Sequence, residues 1–249
     1  MKRSLWQIWL GVGLIVLSVA FYLIHYAIFR DAHHIFIYLI GDIAFVFVEV
    51  LLVTLIIHEV LNLREKRARM EKLNMVIGAF FSEVGSPLLG ELAACDPDAE
   101  GIRKELIVQG NWTKEQFEKA NQAIRSHEFK IDVKCEDLPA MRETLIAQRT
   151  FLLRMLENQN VLEHETFTGL LMAVFHLAEE LASRSDVRQL TDADRFHIAG
   201  DMKRVYGLLT AEWLDYMKHL QDNYPYLFSF AMRTNPFDPM ATPEIRQES

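Results

Sequence analysis

The chain has 249 residues, of which 51% are hydrophobic and 24% are charged, and its formal net charge at pH 7 is −8. Residues 1–72 hold 8 basic and 6 acidic side chains, which leaves 18 basic and 28 acidic side chains for residues 73–249. Because a segment with a net charge of −10 repels polyanions, we exclude nucleic-acid binding.

The first predicted element is a membrane span over residues 5–29. These 25 residues include no Asp, Glu, Lys or Arg, and a helix that rises about 1.5 Å per residue over that length exceeds a hydrocarbon core of about 30 Å. A cleaved signal peptide is the alternative, with Lys2-Arg3 before the apolar run and Ser18-Val19-Ala20 as the cleavage site. Because the apolar run continues for nine residues beyond Ala20, we favour an uncleaved anchor.

The second predicted element is a span over residues 35–60, after a turn of residues 30–34. Its apolar sequence is interrupted by Asp42, Glu49 and the terminal His58-Glu59. The two spans predict a transmembrane hairpin, residues 1–62, in the cell membrane or inner membrane.

Lys and Arg residues predict the orientation of this hairpin, since they concentrate on the cytoplasmic side of membranes. Lys2-Arg3 precede the first span, and the turn carries only Arg30. Five basic residues follow the second span: Arg64, Lys66, Arg67, Arg69 and Lys72. We therefore expect both termini in the cytoplasm and these five side chains at anionic lipid headgroups.

A juxtamembrane helix is predicted for residues 63–94. Apolar residues recur there at alternating three- and four-residue steps, a coiled-coil-like spacing, at Met70, Leu73, Ile77, Phe80 and Val84. Gly85-Ser86-Pro87 is expected to break or bend this helix.

Residues 95–232 predict a cytoplasmic domain of five or six antiparallel helices. Thr113 with Gln116, and Thr191 with Asp194, form capping boxes at two helix starts, and residues 128–137 are the only extended patch. Two apolar stripes are expected to pack on each other: Phe167, Leu170, Val174, Leu177 and Leu181; then Ile198, Met202, Val205, Leu209, Trp213, Tyr216 and Leu220. The fold class is therefore all-α.

The C-terminal residues 233–249 read as a flexible tail because of their Pro and polar content. The aromatic residues 222–237 precede and overlap this tail, and we expect them to dock on their own bundle rather than on a protein partner. Cys95 and Cys135 are expected to be reduced structural thiols, as is usual in the cytoplasm.

Asp42 and Glu49 are the main functional signal, because charged side chains are costly inside a bilayer. Seven residues make almost two helical turns, so both carboxylates point the same way, about 10.5 Å apart along the axis. The first span offers the polar side chains Ser18, Tyr22 and His25. Antiparallel pairing would bring Tyr22 to Asp42, whereas Glu49 finds no donor at its level in its own chain.

Three helical clusters have the residue types of a metal site: His176, Glu179 and Glu180; Asp194, His197 and Asp201; Glu212, Asp215 and His219. His176 lies about 180° round its helix from Phe167, and His219 lies beside the apolar stripe rather than on it. We therefore expect charged, solvated helix surfaces, and predict no metal and no cofactor. No sequence motif of an enzyme is present, so we predict a protein without enzymatic activity.

These patterns predict a two-pass membrane protein that self-associates as a homo-oligomer. The acidic face of the second span would form a cation or proton pathway, and the helical domain would serve assembly or gating. The alternative is a membrane-tethered signalling or scaffold protein without transport activity, in which the acids only set helix packing and the cytoplasmic domain binds a protein partner.

Overall fold

The computed structural model describes residues 2–132 and 138–244. These residues form eleven α-helices and one π-helical turn and contain no strand, which confirms the all-α fold class. The contacts divide the chain into two units, Met1–Lys66 and Arg67–Ser249.

Two long apolar helices begin the chain. Helix α1 runs from Lys2 to Phe29 and α2 from Ala32 to Phe80. Arg30 turns the chain between them with a positive φ of 48°. Both helices are long and apolar enough to cross a membrane, and none of the residues in their most apolar stretches is buried. Within the described residues, α1 does not pack along α2.

The unit Arg67–Ser249 begins with the last turns of α2 and a π-helical turn, Phe81–Gly85, which leads directly into α3, Ser86–Ala94. The Ser86 N–H donates to the Phe81 carbonyl five residues earlier. Pro87 lies in the first turn of α3, and its missing N–H leaves one carbonyl of the preceding helical turn without a helical donor. The predicted break at Gly85-Ser86-Pro87 is therefore a widened turn, and the chain stays helical through it.

Five short helices then precede the two long helices of this unit. They are α4 Ala99–Leu106, α5 Lys114–Ser126, α6 Leu138–Ala147, α7 Arg149–Leu156 and α8 Gln159–Leu162. Helices α9, Glu165–Ala182, and α10, Asp192–Asn223, pack on each other, as their stripes predict. Helix α11, Pro225–Arg233, follows.

The core of this unit is built from the predicted stripes. All five apolar residues of the α9 stripe are fully buried, and so are all those of α10 except the partly exposed Tyr216. Aromatic rings join α2, the π-helical turn, α9 and α10: Phe80 meets Phe167 edge-on at 5.3 Å, and Phe81 stacks on Tyr216 at 4.9 Å. Face-to-edge and offset ring pairs of this kind stabilise cores beyond the area they bury.

The segment after α11 differs from the expected flexible tail. Phe237 is fully buried beside Trp213, with ring centroids 5.2 Å apart, and Asn235 Nδ2 donates to the Leu106 carbonyl at 2.9 Å. One aromatic ring and one amide therefore anchor residues whose Pro and polar content suggested disorder. Residues 245–249 lie outside the described residues.

The cysteines also differ from expectation, because Cys95 is disulfide-bonded rather than a free thiol. It is buried at the end of α3, where its carbonyl accepts from the Asp132 N–H at 2.9 Å. Cys135 and the second half of the predicted extended patch, residues 133–137, lie outside the described residues, and residues 128–132 form no regular element. The cysteines therefore do not support a reducing, cytoplasmic surrounding.

Candidate functional site

The acidic face of α2 is formed by Asp42 and Glu49 on one unbroken helix. Both residues are exposed in the single chain. Within the described residues neither carboxylate accepts a hydrogen bond or joins an ion pair. A lone hairpin would therefore present two bare carboxylates to whatever surrounds α2.

The polar side chains of α1 are not brought to this face. Tyr22 is 40% exposed and does not hydrogen-bond to Asp42. His25 lies on its own helix against Phe29, with ring centroids 4.7 Å apart, and Ser18 is exposed. The predicted pairing of Tyr22 with Asp42 is therefore not found, and none of these three side chains reaches the acidic face.

The five basic residues after the second span divide into two groups. Arg67 pairs with Glu71 at 3.6 Å, and Arg69 reaches Glu163 at 2.9 Å. Arg64, Lys66 and Lys72 are exposed and form no ion pair among the described residues. Within this group of five, only Arg67 and Arg69 have acidic partners among the described residues.

A large aromatic cleft lies within the unit Arg67–Ser249, with a volume of about 920 Å³. It is bounded by the last turns of α2, the π-helical turn, α3, α10 and α11. Its walls are mostly apolar and aromatic, with Phe81, Trp213, Tyr216, Tyr226 and Phe230 among them. Concave apolar cavities of this size with a few polar groups are where proteins bind small molecules. The aromatic residues of 222–237 therefore dock on their own bundle, as expected, and form one wall of a cleft.

His219 is one of several polar residues that line this cleft. Its Nδ1 lies 3.1 Å from Asn74 Nδ2 and 3.2 Å from Asn223 Nδ2, while its Nε2 is buried without a hydrogen-bond partner. Burial lowers the pKa of His219, so the imidazole is neutral at neutral pH. With Nδ1 accepting, Nε2 carries the proton.

A histidine–carboxylate cluster lies between α9 and α10, made of His176, Glu180, His197 and Asp201. His176 Nε2 and His197 Nε2 lie 3.5 and 3.4 Å from Asp201 Oδ2. One ligand atom from each of His176, Glu180 and His197 lies within 4.8 Å of the others. The expected solvated surface holds for the two histidines, whose side chains are about half exposed, but Asp201 is buried.

Sequence reasoning missed this cluster because it treated each helix alone. On α9, His176 and Glu180 are four residues apart, and so are His197 and Asp201 on α10. Such pairs share one helix face. The signal that would have found the cluster is that two His-x-x-x-acid pairs lie on two helices predicted to pack on each other.

The third candidate cluster does not form a metal site among the described residues. Glu212 is buried, and His219 lines the aromatic cleft. Burial raises the pKa of the Glu212 carboxyl, against the opposing effects of a hydrogen bond from Thr166 and of nearby His164. Asp215 is exposed, as expected from its position beside the apolar stripe, whereas His219 is half-buried and Glu212 is buried, so the expected solvated face is wrong for these two residues.

Comparison with known proteins divides the chain into an N-terminal and a C-terminal part, at nearly the same place as the contacts within the structure do. The family described as "MJ1433, N-terminal helical domain" matches residues 2–61, and "Uncharacterized protein MJ1433, C-terminal helical domain" matches residues 69–233. Uncharacterized protein MJ1433 of Methanocaldococcus jannaschii is 42% identical over 238 residues, which cover 96% of each chain. No solved structure matches the chain. With both domains matched in order and a full-length relative at this identity, the chain belongs to the MJ1433 family.

Proposed function

We propose that this chain is a two-pass membrane protein that self-associates, with the acidic face of α2 lining a cation or proton pathway. The unit Arg67–Ser249 would serve assembly or gating on the cytoplasmic side. The length and apolar character of α1 and α2 support membrane insertion. The excess of Lys and Arg after the second span supports the cytoplasmic orientation, whereas the disulfide-bonded Cys95 opposes it.

The single observation that carries the proposal is the bare acidic face. Asp42 and Glu49 are exposed on the same side of α2, and no described group of the chain neutralises either of them. An acidic side chain at a bilayer centre costs about 2.5–3.5 kcal/mol on insertion scales. Two helices cannot enclose water, so further copies must supply the polar surrounding. Rings of acidic side chains around a narrow water-filled path select cations.

The aromatic cleft supports a role in gating. Helix α2 runs without interruption from Ala32 to Phe80. Its residues Asn74, Met75, Gly78 and Ala79 line the cleft. A ligand bound there would contact the same helix that carries Asp42 and Glu49, and would shift its position if it binds one conformation better.

The test is flux through liposomes that contain the purified full-length protein. We expect Glu49→Gln to abolish cation or proton flux, because the neutral amide cannot attract or relay a cation, and to leave the oligomer intact. Glu59→Gln is the matched control. Glu59 lies on the same helix about 80° away from the acidic face, and its variant is expected to conduct like the wild type.

Unchanged flux in Glu49→Gln would count against a pathway at this face. Equal loss of flux in the Glu59→Gln control would show that charge anywhere on α2 matters, and would also contradict the proposal.

A second candidate function is a membrane-tethered signalling or scaffold protein, and the aromatic cleft favours it because a sensor needs a binding cavity. In this case the acidic face only sets the packing of neighbouring helices. It predicts that Asp42→Asn and Glu49→Gln alter the size or stability of the oligomer, and that liposomes show no flux with any form.

A further inference from the structure

The histidine–carboxylate cluster defined above has the ligand types and spacing of a metal centre. We propose that His176, Glu180, His197 and Asp201 bind one divalent transition-metal ion, with Zn²⁺ as the best fit, between α9 and α10. This site is independent of the proposed pathway along α2.

The distances from Asp201 to both histidines match those around a tetrahedral ion. Two ligand atoms that each lie about 2.0–2.2 Å from Zn²⁺ are about 3.3–3.6 Å apart at the tetrahedral angle. Asp201 Oδ2 lies 3.5 Å from His176 Nε2 and 3.4 Å from His197 Nε2. Glu180 Oε1 lies 3.9 Å from His176 Nε2, slightly beyond this range. Of the four groups, the Glu180 carboxylate would therefore have to shift to complete the coordination.

The burial of Asp201 provides independent evidence for a cation site. Its side chain is 6% exposed, and its Oδ2, the atom that faces both histidines, is buried without a hydrogen-bond partner. A buried carboxylate oxygen without a partner is costly unless a cation or donor compensates it. An ion between the two Nε2 atoms and Oδ2 would provide that compensation.

Arginines hold the outer oxygens of both carboxylates. Arg184 Nη1 donates to Glu180 Oε2 at 2.8 Å, and Arg204 Nη1 lies 3.4 Å from Asp201 Oδ1. Glu180 Oε1 and Asp201 Oδ2 are therefore left for the ion. Outer partners of this kind orient ligating groups in known metal sites.

The ligand set selects the class of ion. Two imidazole nitrogens and two carboxylates suit Zn²⁺ and related transition metals, whereas Mg²⁺ and Ca²⁺ prefer sites made of oxygen atoms. Two carboxylates also neutralise a doubly charged ion. Since each helix contributes one histidine and one acid, the bound ion would link α9 to α10 near the loop that joins them.

The competing occupant is a pair of protons, which would convert the two imidazoles into cations paired with Glu180 and Asp201. Metal titration separates the two cases. Full-length protein in detergent, freed of metal by a chelator, is titrated with Zn²⁺ in a calorimeter. We expect one Zn²⁺ per chain, and a loss of affinity greater than about 100-fold in the double variant His176→Gln and His197→Gln, since losing outer partners alone costs about 10- to 100-fold.

Glu179→Gln is the matched control. Glu179 neighbours Glu180 in sequence but pairs with Arg149 at 2.6 Å, so its variant is expected to bind Zn²⁺ like the wild type. Co²⁺ gives a second readout, because tetrahedral coordination produces intense visible absorption bands. We expect these bands in the wild type and in Glu179→Gln, and not in the double variant.

No Zn²⁺ binding by the wild type, or equal binding by all three forms, would overturn the proposal, as would Co²⁺ bands that survive in the double variant. If circular dichroism shows that the double variant is unfolded, Glu180→Gln replaces it. This variant keeps the side-chain size, and its Zn²⁺ affinity is expected to fall more than about tenfold. An unchanged affinity in Glu180→Gln would overturn the proposal equally.

Discussion

Glu212 is a buried carboxyl group whose ionisation makes the stability of the fold depend on pH. Its side chain lies in the buried part of α10, and burial raises the pKa of its carboxyl above the ordinary value of 4.5. Because the folded-state pKa is raised, the contribution of this group to stability is full below the unfolded-state pKa and is lost as pH rises through the folded-state pKa. Ionised Glu212 therefore destabilises the fold at neutral pH.

Glu212→Gln should remove this pH dependence, because the amide stays neutral at every pH. We expect the variant and the wild type to have similar melting temperatures at about pH 4, and the variant to have the higher melting temperature at about pH 8. Thermal unfolding in detergent across this range, followed by circular dichroism, measures the difference. A variant that is less stable than the wild type at pH 8 would show that the carboxylate is compensated.

Helical phase predicted the exposure of His176 but not how residues meet across helices. His176 is exposed, as expected from its position opposite the apolar stripe of α9, and His197 is exposed as well. Asp201 is buried because the first turns of α10 pack against α9, and this contact depends on the crossing of two helices. The sequence shows the i, i+4 pairs, whereas only the fold shows that they face each other.

At the level of elements, the sequence correctly predicted the helix starts that are fixed by hydrogen bonds between neighbouring residues. The capping box of Thr113 and Gln116 is present at the start of α5, and Thr191 accepts from the Asp194 N–H at the start of α10. Helices α4 and α8 were not predicted, since four to eight residues carry too little periodicity. The π-helical turn was not predicted as such, because Gly85-Ser86-Pro87 signals a break or bend in a helix without specifying which kind.

Gly85 is required by this π-helical turn. A Cβ atom there would lie 2.6 Å from Phe81 Cδ1 and 2.9 Å from Phe80 Cε1, and both rings are fixed in the core. We expect Gly85→Ala to destabilise the protein by about 1–3 kcal/mol through overpacking. Chemical or thermal unfolding in detergent measures this loss.

Gly169→Ala is the matched control for this substitution. Gly169 is also helical and exposed, and a Cβ there meets no atom within 4 Å. This change should be neutral or stabilising by up to about 1 kcal/mol, because Ala favours the helix. If both alanine variants behave alike, close packing at the π-helical turn is not what selects glycine.

At the level of the whole molecule, composition predicted two apolar helices and a separate helical unit. The order of the two matched family domains agrees with this division. The anchored segment after α11 could not be predicted, because the burial of Phe237 depends on a space beside Trp213 that several helices create. The pairing of Tyr22 with Asp42 was inferred from an ideal hairpin, and α1 does not pack along α2 in the single chain.

Self-association is the central claim, because the acidic face of α2 has no partner among the described residues of one chain. The most direct test is the mass of the purified particle in detergent, with the detergent contribution subtracted by light scattering. The account predicts a multiple of the 28.9 kDa chain, and the same multiple for Glu49→Gln. A particle with the mass of one chain, at concentrations where the protein is functional, would contradict it.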